Sequence, residues 1–345
     1  MELLLISLFL IIIILVLRLG HAILWVPWRV QHHFKRQGIS GPPYRPIFGN
    51  TAEIRRMYAE VQSKPVPRAT GDHYNDNDNY NYPLNHGITY RVMPFYQKWS
   101  SQYGKTFLCW FGPKPMLAIV DPEMIKEVLM NTSGAFGKLK YNPSAKLLFG
   151  GGLAGLEGEK WVVHRHIANQ AFNMERVKSW IPDIVASTKN TLTKWEELRQ
   201  GREEFEVEIN MILNETLRLY PPSVMMKRRT TRDILLRNLN IPAETQLYLA
   251  MAAVHRDVEL WGEDADTFNP LRFALPRKHL ASFFPFSLGP RVCVGQNLAI
   301  LESRIILAMI IQQYTLTLSP TYVHAPMQVM TLQPQHGAHV IFRKI

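Results

Sequence analysis

Cysteine is nearly absent from this sequence, whose 345 residues contain only Cys109 and Cys293. Two cysteines exclude a disulfide framework, and a reducing compartment for the folded part is the simplest inference. The sequence also has no internal repeat. It has no zinc-ligand spacing, no basic helix and no aromatic RNA-binding motif, so we expect no nucleic-acid partner. The net charge of +11 is spread along the chain. It suits a solvated basic surface, an anionic membrane or an acidic redox partner.

Apolar residues are abundant, at 47% of the chain, which is enough for one large domain or two ordinary ones. They are most concentrated at the N-terminus. Residues 3–17 are apolar except for Ser7, and the apolar character resumes through residues 22–26 after Arg18 and His21. Because roughly 20 apolar residues span a bilayer, we expect a transmembrane anchor over residues 1–26. A cleaved signal peptide is the alternative, although the basic start and the small-residue cleavage site are both missing.

Charges around this segment predict its orientation. Arg29, Lys35 and Arg36 follow it and only Glu2 precedes it, so the positive-inside rule places the rest of the chain in the cytosol. Residues 27–50 are expected to form a linker, since G-P-P-Y-R-P at residues 41–46 is stiff and has no helical option. Residues 72–85 are rich in Asn and Asp and are predicted to be a disordered surface loop.

The remaining pattern predicts a mainly helical protein with small β-sheets. Helices are expected from Met93 to Tyr103, after the Asp121-Pro122 cap, and from Trp161 to Met174. Two strands joined by a turn are predicted at residues 106–110 and 116–120, short strands at 229–244, and closing strands after Thr315. Cys109 lies in the first of these strands, where a buried structural role is expected.

Residues 286–295, with the sequence F-S-L-G-P-R-V-C-V-G, carry the strongest chemical signal. Gly289 and Gly295 bracket Cys293 and would let the backbone turn sharply beside a large flat ligand. A helix largely inside a core is predicted from residue 296 to 312. Its N-terminus would favour a sulfur anion on the preceding cysteine. A lone cysteine is more often a small buried hydrophobe, so its neighbours must decide the matter.

Two further pairs have both an ordinary and a functional interpretation. Trp161 and Arg165 share a helix face, which by itself indicates only an aromatic ring packed on an arginine stem. Glu215 and Arg218 in N-E-T-L-R-L-Y are three residues apart on a helix, and an ordinary surface pair of this kind contributes only a fraction of a kcal/mol.

Together these motifs resemble the cytochrome P-450 superfamily, whose haem-binding signature is Phe-x-x-Gly-x-Arg-x-Cys-x-Gly. The resemblance runs from one end of the chain to the other. Segments such as H-F-K-R-Q-G-I-S-G-P-P-Y-R and N-E-T-L-R-L-Y-P-P are similar to plant microsomal members, in the group that contains secologanin synthase and the brassinosteroid-inactivating hydroxylases. The resemblance implies a haem-thiolate monooxygenase of the endoplasmic reticulum membrane, single-pass and facing the cytosol. It would hydroxylate an apolar small molecule such as a terpenoid or steroid, using haem b and NADPH electrons delivered by a membrane-bound reductase.

The resemblance also assigns roles to residues. It implies that Cys293 is the proximal thiolate on the haem iron, which favours O–O cleavage. Haem-binding positions would be Phe286, Gly289, Arg291, Cys293, Gly295, Trp161, Arg165 and Arg228, with the tryptophan and the arginines at the propionates. Glu215, Arg218 and Arg272 would form a buried structural cluster behind the cysteine loop, in which the charges must be mutually paired.

The resemblance breaks near residues 205–211. Family members carry a long block of helices there, including the central helix on the distal face of the haem with its Ala-Gly-x-x-Thr type motif. This sequence has no such motif, so we assign no catalytic acid or threonine. Residues 51–345 are therefore expected to form a partial cytochrome P-450 domain lacking the central distal helices. Apolar faces of the helices at Trp161 and Gln296 should then be exposed. A non-catalytic membrane-anchored remnant or splice product is the alternative function.

Overall fold

Helices and short strands alternate in the computed structural model, which describes residues 2–66, 84–139, 146–147, 150–196 and 209–345. Most of the Asn/Asp-rich stretch at 72–85 and of the junction predicted at 205–211 lies outside these residues. The helices described are α1 (Glu2–Gly20), α2 (Val26–Arg36), α3 (Thr51–Gln62), α4 (Thr89–Val92), α5 (Pro94–Tyr103), α6 (Pro122–Met130), α7 (Gly158–Ala171), α8 (Met174–Ser179), α9 (Ile181–Glu196), α10 (Ile209–Leu219), α11 (Met251–Val254), α12 (Val258–Trp261) and α13 (Gln296–Ile311).

The strands are short, so the prediction of a helical protein with small β-sheets is confirmed. They are β1 (Phe107–Phe111), β2 (Lys114–Ile119), β3 (Phe136–Gly137), β4 (Met226–Thr230), β5 (Ile234–Leu236), β6 (Leu239–Ile241), β7 (Gln246–Leu249), β8 (Tyr314–Leu318), β9 (Pro326–Gln328), β10 (Leu332–Pro334) and β11 (Val340–Lys344).

The N-terminal apolar segment is helical. A π-helical turn, His21–Trp25, joins α1 to α2. The combined helix Leu4–Arg36 has the length and composition of a candidate membrane span. The predicted linker at 27–50 is therefore helical as far as Arg36, and its proline-rich part follows the helix. The boundaries of the anchor and the linker stay predictions.

The chain divides into two compact units. The first contains Met1–Val61, Met93–Leu139 and Met225–Ala250. Its five-stranded sheet has the order β1-β2-β7-β4-β3, in which only β2 and β7 are parallel. The β1–β2 hairpin was predicted, and its two-residue turn places Gly112 at a φ of 60°, in the region that glycine tolerates. The predicted helix cap at Asp121 is also present, because its Oδ1 accepts a hydrogen bond from the Met124 N–H at 2.7 Å.

The second unit contains Gln62–Val92, Lys140–Val224 and Met251–Ile345. Helix α13 packs against α8, α9 and α10, and α10 also packs on a 3-10 helix, Pro270–Ala274. The predicted closing strands pair as β8 with β11 and β9 with β10. The segment that carries Cys293 leads directly into α13, which packs on α10.

Candidate functional site

The cysteine loop, residues 286–295, is a compact turn held by its own backbone. The Cys293 N–H donates to the Phe286 carbonyl at 2.8 Å, and the Val292 N–H donates to the Gly289 carbonyl at 3.0 Å. Gly289 has a φ of 70°, a conformation that favours glycine, whereas Gly295 has a φ of −85° that any residue adopts. Only the first glycine is therefore explained by the sharp turn that the sequence predicted.

The two cysteines differ in environment as the sequence indicated. Cys293 is exposed and lies three residues before α13, whose N-cap Gly295 supplies no side-chain cap. The positive end of the helix dipole and its uncapped N–H groups favour negative charge near this sulfur. Cys109 is fully buried in β1, and burial raises the pKa of its thiol. Cys293 is thus the cysteine suited to ligate a metal.

Helix α7 presents Trp161 and Arg165 to the cysteine loop. Arg165 Nη1 donates to the Val292 carbonyl at 2.5 Å, next to the cysteine. The guanidinium of Arg291 lies 4.3 Å from the centre of the Trp161 ring, and its Nη1 donates to the Leu156 carbonyl at 2.9 Å. The ring of Trp161 therefore packs on Arg291 of the cysteine loop. Trp161 and Arg165, the pair predicted on one helix face, thus both contact the loop.

The two arginines create a positive region around the cysteine. Burial lowers the pKa of Arg291; Glu157 raises it, and Arg165 lowers it further. Guanidinium groups pair well with carboxylates. The exposed thiol can bind a metal ion, and the two guanidinium groups and the aromatic ring lie beside it. These residues fit a planar cofactor that carries a metal at its centre and carboxylate side chains at its edge. The residues present therefore fit haem.

Arg228 belongs to β4 of the first unit. It is almost fully buried, and its Nη1 donates to the Lys227 carbonyl at 2.9 Å. Its contact with a haem propionate stays a prediction.

The predicted cluster of Glu215, Arg218 and Arg272 is present and buried. Glu215 and Arg218 are fully inaccessible to solvent and form a bidentate pair, with Nε to Oε2 and Nη2 to Oε1 both at 2.7 Å. Arg272 Nε reaches Glu215 Oε1 at 3.0 Å. Each of these buried charges is therefore paired within the cluster.

Sequence reasoning missed two partners of this cluster. Arg272 also pairs with Asp264 at 2.8 Å, and the Asn269 N–H donates to Glu215 Oε1 at 2.9 Å. It also missed Ser287, a nearly buried residue with a φ of 74°. These contacts join irregular segments that have no periodicity, so the sequence carried no signal for them.

An apolar groove borders the cysteine loop within the second unit. Its volume is about 340 Å³, and its apolar lining includes Leu217, Phe286, Val292 and Ile300. Together with the loop it offers an apolar face next to the charged residues, as a largely hydrocarbon ligand requires.

The helices on either side of the loop are not enclosed. Val162 and Ile167 on α7 are 58% and 60% exposed, and none of the residues of α13 is fully buried. The expectation of an exposed apolar face is confirmed for α7, whereas the apolar residues of α13 are half-buried. The expectation that α13 lies largely inside a core is wrong, because too little protein covers its apolar stripe.

Comparison with known proteins places the chain in a family. The family model described as cytochrome P-450 matches residues 86–209 and 208–342. Cytochrome P-450 734A1 of Arabidopsis thaliana is 28% identical over 515 residues, covering 97% of this chain and 96% of that protein. CYP749A22 of Panax ginseng is 26% identical over 525 residues, with 100% and 97% covered.

A solved structure shares the fold. The retinoic acid-bound cyanobacterial CYP120A1 matches with a TM-score of 0.64 at 16% identity, covering 75% of this chain and 96% of that chain. The family model spans well over half of the sequence and includes both the Trp161 helix and the cysteine loop. The chain therefore belongs to the cytochrome P-450 family of monooxygenases.

Proposed function

We propose that this chain is a haem-thiolate protein in which Cys293 ligates the iron of haem b. The observation that carries the proposal is the exposed Cys293 thiol at the start of α13, with Arg165 and Arg291 beside it. When bound, haem supplies the activation of molecular oxygen, and the thiolate ligand favours O–O cleavage.

The protein side chains have distinct tasks in this proposal. Arg165 and Arg291 pair with the haem propionates, and Trp161 holds the guanidinium of Arg291 by a cation–π contact. Phe286 and Val292 provide apolar contact to the macrocycle. Gly289 allows the turn that presents the cysteine.

The proposed reaction is hydroxylation of an apolar small molecule such as a terpenoid or steroid. One oxygen atom of O₂ enters a C–H bond of the substrate, and the other leaves as water with two electrons from NADPH and two protons. A membrane-bound reductase delivers the electrons. Similarity to plant relatives supports this substrate class only at the level of the family.

The proposed location is the endoplasmic reticulum membrane. The candidate span Leu4–Arg36 ends in Lys35 and Arg36, and basic residues on this side favour a cytosolic domain. A single-pass anchor would hold the site near the bilayer, in which apolar substrates dissolve.

A second function is favoured by the exposed apolar residues of α7 and the incomplete burial of α13. It is a membrane-anchored remnant or splice product that lacks the central distal helices and binds haem weakly or not at all. The sequence has no Ala-Gly-x-x-Thr type motif. The match to the Arabidopsis relative extends over 515 residues, more than the 345 of this chain, which supports an internal deletion.

A carbon monoxide difference spectrum of the reduced, purified protein distinguishes these functions. A normal thiolate Soret band supports the haem-thiolate enzyme and argues against the remnant. Lack of haem uptake refutes the enzyme for this chain. Cys293→Ala is the control, since it removes the ligand and should abolish the thiolate band.

A further inference from the structure

His255 is a buried histidine that the haem site does not use. It follows α11 and is fully inaccessible to solvent. Its Nε2 accepts a hydrogen bond from the Phe284 N–H at 3.1 Å. An acceptor nitrogen carries no proton in neutral imidazole, so the proton resides on Nδ1, which meets no hydrogen-bond partner among the described residues.

The surroundings of His255 keep its ring neutral and fixed. Burial, together with the charges of the nearby Arg256 and Arg218, lowers its pKa to about 3. The ring lies between two aromatic side chains, with centroid distances of 5.4 Å to Phe283 and 5.3 Å to Phe284. At neutral pH the lone pair on Nε2 can therefore accept the Phe284 N–H, and the two aromatic contacts fix the orientation of the ring.

The backbone of the same residue is held by the charged cluster. Arg218 Nη1 donates to the His255 carbonyl at 2.7 Å, and Arg218 is itself paired with Glu215. His255 thus contacts the buried ion pair with its carbonyl and, with its ring, Phe284, which lies two residues before the cysteine loop.

The hydrogen bonds continue from Phe284 into the loop. The Ser287 N–H donates to the Phe284 carbonyl at 2.9 Å, and the Cys293 N–H donates to the Phe286 carbonyl at 2.8 Å. Pro285 lies between Phe284 and Phe286 and has no N–H to donate. The segment just before the loop is held by two side chains: His255 accepts from the Phe284 N–H, and Arg277 donates to the Phe283 carbonyl at 3.0 Å.

We propose that His255 is a positioning residue that couples the Glu215–Arg218 pair to the cysteine loop by accepting the Phe284 N–H. Ser287, whose N–H donates to the Phe284 carbonyl, has a positive φ that non-glycine residues rarely adopt, so this part of the chain depends on such contacts. The inference rests on the proposed function only where it assigns the loop to haem ligation.

The test uses the haem-free, full-length protein in detergent and measures amide hydrogen exchange residue by residue. His255→Gln keeps an acceptor on a side chain of similar reach, and His255→Leu removes it while retaining apolar bulk. In His255→Leu, exchange of the Phe284, Ser287 and Cys293 amides should accelerate by about tenfold or more, because each opening no longer breaks the hydrogen bond to the ring. In His255→Gln their exchange should stay within about threefold of the wild type.

His279 offers a matched control. Its Nδ1 accepts from the Ala281 N–H at 2.9 Å, a similar bond that lies outside the series leading to Cys293. His279→Leu should accelerate exchange at Ala281 and leave the Cys293 amide unchanged.

Two results would overturn the proposal. One is unchanged exchange in His255→Leu, and the other is equal acceleration in the Gln and Leu variants, which would assign the effect to packing. If His255→Leu does not fold, amide exchange of the wild type in mild urea tests the proposal instead. The amides of Phe284, Ser287 and Cys293 should then open with one common free energy. Independent, faster exchange of the Phe284 amide would contradict the coupling. Failure to bind haem affects none of these measurements.

Discussion

Replacing Glu215 with Gln should destabilise the second unit strongly. Four donors reach its carboxylate: the Nε and Nη2 of Arg218, the Nε of Arg272 and the Asn269 N–H. Three of these donors reach Oε1 and one reaches Oε2, and their number equals the roughly four acceptor sites of a carboxylate. The side-chain amide of Gln would direct an NH₂ group at a guanidinium. It would also leave Arg218 without a countercharge, although Arg218 is buried and has no access to water.

Breaking one partner of a buried ion pair costs about 3–5 kcal/mol. Whole domains are stable by only about 5–15 kcal/mol, so this variant should lose a large part of its stability. Asp264→Asn provides the comparison, because Asp264 also pairs with Arg272 but its side chain is 48% exposed. An exposed pair of this kind contributes about 0–1 kcal/mol.

Urea unfolding of the purified protein in detergent, followed by tryptophan fluorescence, measures the two variants under one condition. The midpoint of Glu215→Gln should fall far below that of Asp264→Asn. A double variant, Glu215→Leu with Arg218→Met, should regain much of the stability lost in Glu215→Leu alone, since no buried charge is left uncompensated. Equal midpoints for Glu215→Gln and Asp264→Asn would refute this account of the cluster.

Three further results are expected. Ile167→Ala should change the free energy of unfolding by less than about 0.5 kcal/mol because the Ile167 side chain is mostly exposed. Leu192→Ala should lower the free energy of unfolding by about 2–5 kcal/mol because Leu192 is buried. Equal losses for the two variants in urea unfolding would contradict the exposed face of α7. Burial, His324 and Arg256 lower the pKa of His86 from 6.5 to about 4, so the unfolded state binds more protons between these values. Stability is fully present above pH 6.5 and should fall as the pH drops toward 4, less steeply in His86→Gln; parallel pH profiles would exclude His86 as the cause. Arg291→Gln should weaken haem retention in a gel-filtration assay while the thiolate band of the bound fraction persists, and loss of that band would indicate that Arg291 also fixes Cys293.

Much of the local structure could be predicted because it depends on neighbouring residues. The Asp121 cap and the Gly112 turn follow from the requirements of one helix end and one hairpin. Cys293 could be singled out because the glycine and arginine beside it are close in sequence. Glu215 and Arg218 could be paired because helix geometry places residues three apart on one face.

Contacts between distant segments could not be predicted in this way. The placement of Arg291 on Trp161 joins the cysteine loop to a helix more than a hundred residues earlier, and Asp264 reaches Arg272 across irregular chain. His255 accepts the Phe284 N–H because α11 and the loop meet in three dimensions. No spacing rule in the sequence relates such residues.

The sequence by itself determined the cysteine motif, several of the helices and the charged pair on α10, since each depends on side chains within a few residues of one another. Only the tertiary structure decided which guanidinium packs on Trp161, which groups surround Glu215, and that α13 stays partly uncovered in spite of its apolar sequence. The physical reason is that the burial of a helix face depends on which other segments pack against it. An amphipathic or apolar pattern indicates only that burying that face would be favourable.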